Sequence, residues 1–153
     1  MAFTFHPLSD IPNEEWFHLW NHPDVIRHMP LATERWTDSA ITEWAKGKDA
    51  QWQANGYGPW AIRIDGAFAG WGGFQKEGGE ADLALVLLPG FWGHGPALVR
   101  HFMSRRLELG IGPVSILLPP SRTRVKGLAR IGFLFDCEVE YEGQRFLKFR
   151  AFK

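Results

Sequence analysis

Between Leu87 and Leu98 an apolar run gives way to a helical one through Pro89-Gly90-Phe91-Trp92-Gly93-His94-Gly95-Pro96-Ala97. Residues of these types, so spaced, suit an anion. Gly93 and Gly95 allow close backbone approach with no Cβ in the way, and Pro96 fits a first helical turn, where its missing N–H costs no internal bond. The amides of Gly93, His94, Gly95, Ala97 and Leu98 can then converge on a phosphate, aided by the positive end of the helix dipole, while Pro96 donates nothing. Neither common phosphate fingerprint is present: no Gly-Lys-Ser/Thr follows, and Gly93-His94-Gly95 lacks a third glycine three residues on. A plain strand-to-helix turn has the same composition.

Three further sets of side chains bear on chemistry. Arg122, Lys126 and Arg130 recur every four residues and so share a helix face, able to pair with a second phosphate or simply to be solvated. His18 and His22 have the spacing of a helical metal pair. The Asn21-His22-Pro23 break, the absence of a His-Glu-x-x-His run and the single cysteine all argue against a metal. Cys137 lies in an acidic, strand-like run that disfavours a thiolate, so a structural role is expected of it.

The elements that must position these residues follow from periodicity. Phe3, Phe5 and Leu8 suggest an opening strand, and Ser9 or Asp10 then caps a short helix with Pro12 at its start. Asn21-His22-Pro23-Asp24 breaks that helix. A second helical turn runs from Asp24 to Met29, and a longer helix from Thr37 to about Gln53 carries Ile41, Trp44 and Ala45 on one face. Asn55-Gly56-Tyr57-Gly58-Pro59 closes this helical third. Strands over Trp60 to Ile64 and Ala67 to Phe74 are joined by the hairpin signal Asp65-Gly66, and Gly78-Gly79 leads into a third strand from Ala81 to Leu88. Beyond the glycine turn a helix is expected from Ala97 to Leu109, with Leu98, Phe102 and Leu109 inward and Gly110 ending it. Val114 to Leu118 reads as a short buried strand. Ser121 to Ile131 reads as a basic helix with Val125, Leu128 and Ala129 inward, and two last strands flank Glu142-Gly143.

At 153 residues this is one domain, 1–153, with a single expected core. Its 45% hydrophobic and 22% charged content is that of a soluble globular protein, with no run near the roughly 20 apolar residues of a membrane helix. No basic-then-apolar leader is visible, so a cytoplasmic protein is expected. Zero net charge hides an asymmetry: residues 1–80 carry 6 Lys/Arg against 11 Asp/Glu, and residues 81–153 carry 11 against 6. A nucleic-acid binder should be more basic overall.

The glycine turn resembles the coenzyme A loop of the GNAT acyltransferases, Gln/Arg-x-x-Gly-x-Gly/Ala. Trp92-Gly93-His94-Gly95-Pro96-Ala97 matches at Gly95 and Ala97, with Trp92 in the polar first position. A Trp-Gly-x-Gly run there is similar to the branch that includes the ribosomal-protein N-terminal acetyltransferases. Asn21 to Met29 resembles that branch's early helical segment, Gly132-Phe133 resembles the pair that ends its last helix, and the element order agrees along nearly the whole chain.

The resemblance implies an α/β fold of the α+β type, with a mostly antiparallel sheet splayed between its fourth and fifth strands and flanked by helices. It also implies acetyl-CoA as co-substrate, an amine acceptor, no metal and, as is common in the superfamily, a homodimer. Backbone groups of Leu87 and Leu88 would pair with the pantetheine and hold the thioester oxygen. Asp82 aligns with the family's acidic residue and would take the amine proton, Glu80 on the same strand face being the runner-up. Ser121 stands where the family has its pantetheine-contacting asparagine, Arg122 or Lys126 would meet the 3′-phosphate, and Leu128 occupies the place of the usual tyrosine acid. Trp36, Tyr57 and Trp60, with Trp52 near them, fall on the side from which GNAT acceptors enter.

Two functions remain open on these residues. One is an N-acetyltransferase acting by direct attack in a ternary complex on an antibiotic, polyamine, small amine or protein N-terminus. The other is a catalytically silent module that binds acyl-CoA or a protein partner, motivated by Leu128 and Ser121.

Overall fold

In the computed structural model, residues 2–27, 36–77, 79–120 and 126–151 are described. The first strand, β1 (Phe3–His6), lies antiparallel to β2 (Pro59–Ile64). Asp65 and Gly66 take φ of 50° and 86°, the double left-handed geometry that matches strand twist, and return the chain as β3 (Ala67–Glu77). β4 (Glu80–Leu87) follows, then β5 (Val114–Leu118), β6 (Leu134–Tyr141) and β7 (Gln144–Ala151). The sheet order is β1-β2-β3-β4-β5-β7-β6, and every pair is antiparallel except β4 with β5.

That one parallel pair has a topological cause. Between β4 and β5 the chain crosses over through helix α4 (Gly95–Arg105), so the second strand re-enters the sheet in the same direction. β4 and β5 pair only at Ala81 with Val114 and Asp82 with Ser115, after which the strands part. The mostly antiparallel sheet splayed at this position, flanked by helices, is the α/β architecture expected.

Helices cover both faces. α1 (Asn13–Trp20), α2 (Pro23–Ile26) and α3 (Asp38–Asn55) pack a tryptophan-rich core of Leu8, Trp16, Leu19, Ile41, Phe68 and Trp71 on one side. On the other, α4 and α5 (Lys126–Ile131) close over Ile62, Phe74, Leu83, Leu98, Phe102 and Phe133. Thr37 caps α3 by accepting from the Ala40 amide at 3.2 Å, and Gly56 ends it at φ 80°.

Several boundaries differ from the sequence reading. Neither Ser9 nor Asp10 caps α1, which starts after Pro12. Both sit in a 3-10 turn, where Asp49 of α3 accepts from Leu8 N–H at 2.7 Å, Ser9 N–H at 3.1 Å and Ser9 Oγ at 2.6 Å. α2 begins at Pro23 because the His22 ring accepts from the Asp24 amide; the expected extension to Met29 and Pro30 falls outside the described residues. α4 starts two residues early and stops at Arg105, with Gly110 at φ 72° closing the turn that follows. Of the basic helix only Lys126–Ile131 is described. Ala129 is exposed rather than inward, because in so short a helix Leu128 and Ile131, three apart, take the core side.

Candidate active site

The geometry begins with the parting of β4 and β5. Leu88 N–H donates to Ala69 O at 2.8 Å, and the β3–β4 register runs unbroken from Glu77 opposite Glu80 to Gly70 opposite Leu87. Backbone polarity alternates along a strand, so the amides of Leu83, Leu85 and Leu87 are directed away from β3, toward the gap. No described strand pairs with them beyond Asp82. Gly70 lets β3 and β4 come this close: a Cβ there would sit 2.0 Å from Val86 O.

Of the two backbone candidates, Leu88 has its N–H committed to β3 and Leu87 keeps its N–H toward the gap. The Leu87 carbonyl is occupied too, accepting from the Trp92 indole at 2.8 Å. Trp92 thus stands in the polar position of the loop pattern as a donor that fastens the turn to β4.

The glycine turn itself is a 3-10 helix, Pro89–His94, running straight into α4. The Gly95 amide donates to Trp92 O and is spent there. His94 makes no side-chain cap, so the Ala97 amide of the first turn has no i−4 partner in the helix and faces outward with the dipole behind it, whereas the Leu98 amide opens the helical ladder on the His94 carbonyl. A Cβ on Gly93 would meet nothing within 4 Å, and one on Gly95 would meet only Leu85 Cδ2 at 4.0 Å. The protein itself does not require glycine at either position; a ligand lying on the turn would.

On the opposite sheet face lies Asp82, the last β4 residue still paired with β5. Its carboxylate accepts from Ser115 Oγ at 3.3 Å. Burial pushes its pKa out of the ordinary carboxylate range to about 7; the Ser115 hydrogen bond opposes this, Glu77 adds to it, and Lys148 and Lys48 oppose it. Glu80, the runner-up, is in an ion pair with Arg150 and so already holds a cation. Lys48 reaches over from α3 to bond Gln75, the residue directly opposite Asp82 on β3, and its ammonium lies 5.1 Å from the Trp71 ring centroid. Burial lowers the Lys48 pKa, against the pull of Glu77 and Asp82.

The three aromatic residues expected to line one acceptor wall do not come together. Trp36 stacks on Trp20 at 5.1 Å and meets Trp44 edge-on, within the α1–α3 core. Trp60 lies on the other face, stacked on Phe102 of α4 at 5.7 Å, and Tyr57 packs against that second core. Ser121 and Arg122 lie outside the described residues, Lys126 opens α5, and Arg130 is exposed in its last turn. Leu128 is half-buried against the core and supplies no phenol. His18 and His22 lie 6.2 Å apart between ring centroids, and among the described residues no three His, Cys, Asp or Glu groups converge.

Sequence reasoning missed Lys48, Gln51, Gln75, Ser115, Lys148 and Tyr141. Tyr141 of β6 has its pKa raised by burial first, then by Glu77 and Asp82, which brings a phenol into the field of the candidate base from an unexpected strand. One signal was available: extending the Gly78-Gly79 hairpin register back along β3 sets Gln75 opposite Asp82.

Residues 3–104 match the acetyltransferase (GNAT) domain. No curated protein matches the chain. Among solved structures it is similar to an acetyltransferase from Agrobacterium tumefaciens, at 17% identity and TM-score 0.78, covering 99% of this chain and 91% of that one. It is also similar to the microcin C7 self-immunity acetyltransferase MccE in complex with acetyl-CoA and AMP, at 16% identity and TM-score 0.79, covering 99% and 92%. A third is AAC(6′)-Ib in complex with ribostamycin and coenzyme A, at 13% identity and TM-score 0.78, covering 100% and 94%.

Proposed function

The chain belongs to the acetyltransferase (GNAT) domain family, and from that membership we propose that it moves acetyl from acetyl-CoA to a primary amine of a small molecule or a protein N-terminus, by direct attack in a ternary complex. The observation that carries this reading is Asp82: a carboxylate at the last pair before β4 and β5 part, with a pKa of about 7. A base so poised is half ionised at neutral pH, where a free alkyl ammonium with a pKa near 10.4 is almost wholly unreactive.

The other face fits the co-substrate. The gap beside Leu83, Leu85 and Leu87 offers backbone groups to pantetheine amides, and the turn at Gly93 to Leu98, open above its glycines, offers the Ala97 amide and the positive end of the α4 dipole to a pyrophosphate. Leu87 N–H is the candidate for the thioester oxygen. Ser121, Arg122 and Lys126 stay assigned to the coenzyme by resemblance. In the reaction the amine nitrogen bonds the acetyl carbon, the carbon–sulfur bond breaks, Asp82 takes the proton the nitrogen sheds, and the thiolate leaves to be protonated as coenzyme A.

Release of coenzyme A from acetyl-CoA across a panel of amines and peptides tests this. Release dependent on amine and on Asp82 supports transfer. The silent module, which Leu128 in place of a phenol favours, predicts tight acetyl-CoA binding with no release across the same panel.

A further inference from the structure

Building on the transfer reading, we infer that the acceptor is a small amino carboxylate, of which free amino acids are the simplest members, held by the side-chain cluster that α3 and the β3–β4 face share. Gly73 and Ala84, paired opposite one another, contribute nothing larger than a methyl group to that face. On one side stands Trp71 opposite Val86, and on the other Gln75 opposite Asp82. Lys48 bridges the two, bonded to Gln75 and lying over the Trp71 ring.

Two buried polar atoms of this cluster lack partners among the described residues. Trp71 is only 5% exposed, yet its indole N–H donates to nothing, and Gln51 Oε1, on α3 beside Lys48, accepts from nothing. A buried group left so pays its desolvation with nothing in return. The cluster thus carries an orphan donor and a desolvated ammonium toward Trp71, with an orphan acceptor and the candidate base toward Asp82. A carboxylate accepting from Lys48 and the Trp71 indole, with its amine donating to Gln51 and Asp82, answers all four. Lys148 of β7, close enough to act on Asp82, adds a second cation to the site. A polyamine or aminoglycoside would instead bring cations against Lys48.

The test compares free L-amino acids with their amides, first by calorimetric or NMR titration of the protein alone, then by turnover with acetyl-CoA. Free acids should bind and turn over at least tenfold better than amides. Lys48→Met should bring that ratio close to one, and Lys48→Arg should preserve it. A merely structural Lys48 would lower both members of each pair equally and leave the ratio unchanged. Amides equal to acids, a ratio that survives Lys48→Met, or no binding of any free amino acid overturns the inference. Transfer to amines with no carboxylate preference overturns it alone; carboxylate-selective binding with no coenzyme A release under any condition overturns the transfer reading instead.

Discussion

The two faces of the sheet are built on different principles. The α4 face is a hydrocarbon core of Leu, Ile and Phe whose polar chemistry belongs to backbone: amides along β4 and at the start of α4. The α3 face is packed with tryptophan, and its polar chemistry belongs to side chains drawn from far apart in the chain: Lys48, Gln51, Gln75, Asp82, Ser115 and Lys148. Under the proposed transfer, the backbone groups would recognise what every co-substrate molecule shares, and the side-chain cluster would tell acceptors apart and change with each substitution.

The largest effect should come from the side-chain face. Asp82→Asn removes a base of the kind typically worth about 100 to 10,000-fold, so kcat should fall at least a hundredfold with acetyl-CoA affinity barely moved. Glu80→Gln, already ion-paired to Arg150, should cost little by comparison. In wild type kcat/KM should rise tenfold per pH step up to about 7 and level off above it. Full turnover in Asp82→Asn with loss in Glu80→Gln would hand the role to Glu80; loss in neither would move the proton path to water or substrate.

The same residue should trade stability for activity. A carboxyl lifted from the ordinary range to about 7 contributes stability below the unfolded pKa near 4 and loses it as pH rises toward 7, on the order of 4 kcal/mol at most. Asn carries no such ionisation cost. Asp82→Asn should therefore melt several degrees above wild type at pH 8 and level with it at pH 4, by calorimetry. Equal melting at both would mean that Asp82 is not desolvated.

On the backbone face, Gly95→Val tests the open turn. Residue 95 is helical at φ −53° with only Leu85 Cδ2 near, so the variant should fold, and any loss falls on the ligand. Acetyl-CoA affinity should drop at least tenfold by calorimetry. Unchanged affinity would remove the pyrophosphate from this turn.

This contrast also explains what was legible in the sequence. Asp65-Gly66, Glu142-Gly143 and Gly56 are local signals, and each turns the chain where expected. The glycine turn is local as well, and it joins β4 to α4 where expected. The wall of Trp36, Tyr57 and Trp60 failed because proximity in sequence stood in for position in space: Trp60 and Trp71 project to opposite faces of paired strands. Lys48 was invisible because nothing local ties a lysine in mid-helix to a carboxylate 34 residues on. Only the packing of α3 on β3 brings them together.

The smallest effect expected is at the far end of the coenzyme. Arg122, Lys126 and Arg130 share a face by their spacing of four, and Arg130 is exposed. Solvent screening holds an exposed ion pair to about 1 kcal/mol or less, while a charge-assisted hydrogen bond to phosphate reaches about 1.5–3 kcal/mol when partly shielded. Coenzyme A should therefore outbind its 3′-dephospho form by about tenfold, and Lys126→Met with Arg130→Gln should remove most of that difference while leaving dephospho-coenzyme A affinity as it was. Equal affinity for the two forms in wild type would make this helix face solvated surface, and would confine recognition on the backbone side to the turn and the open edge of β4.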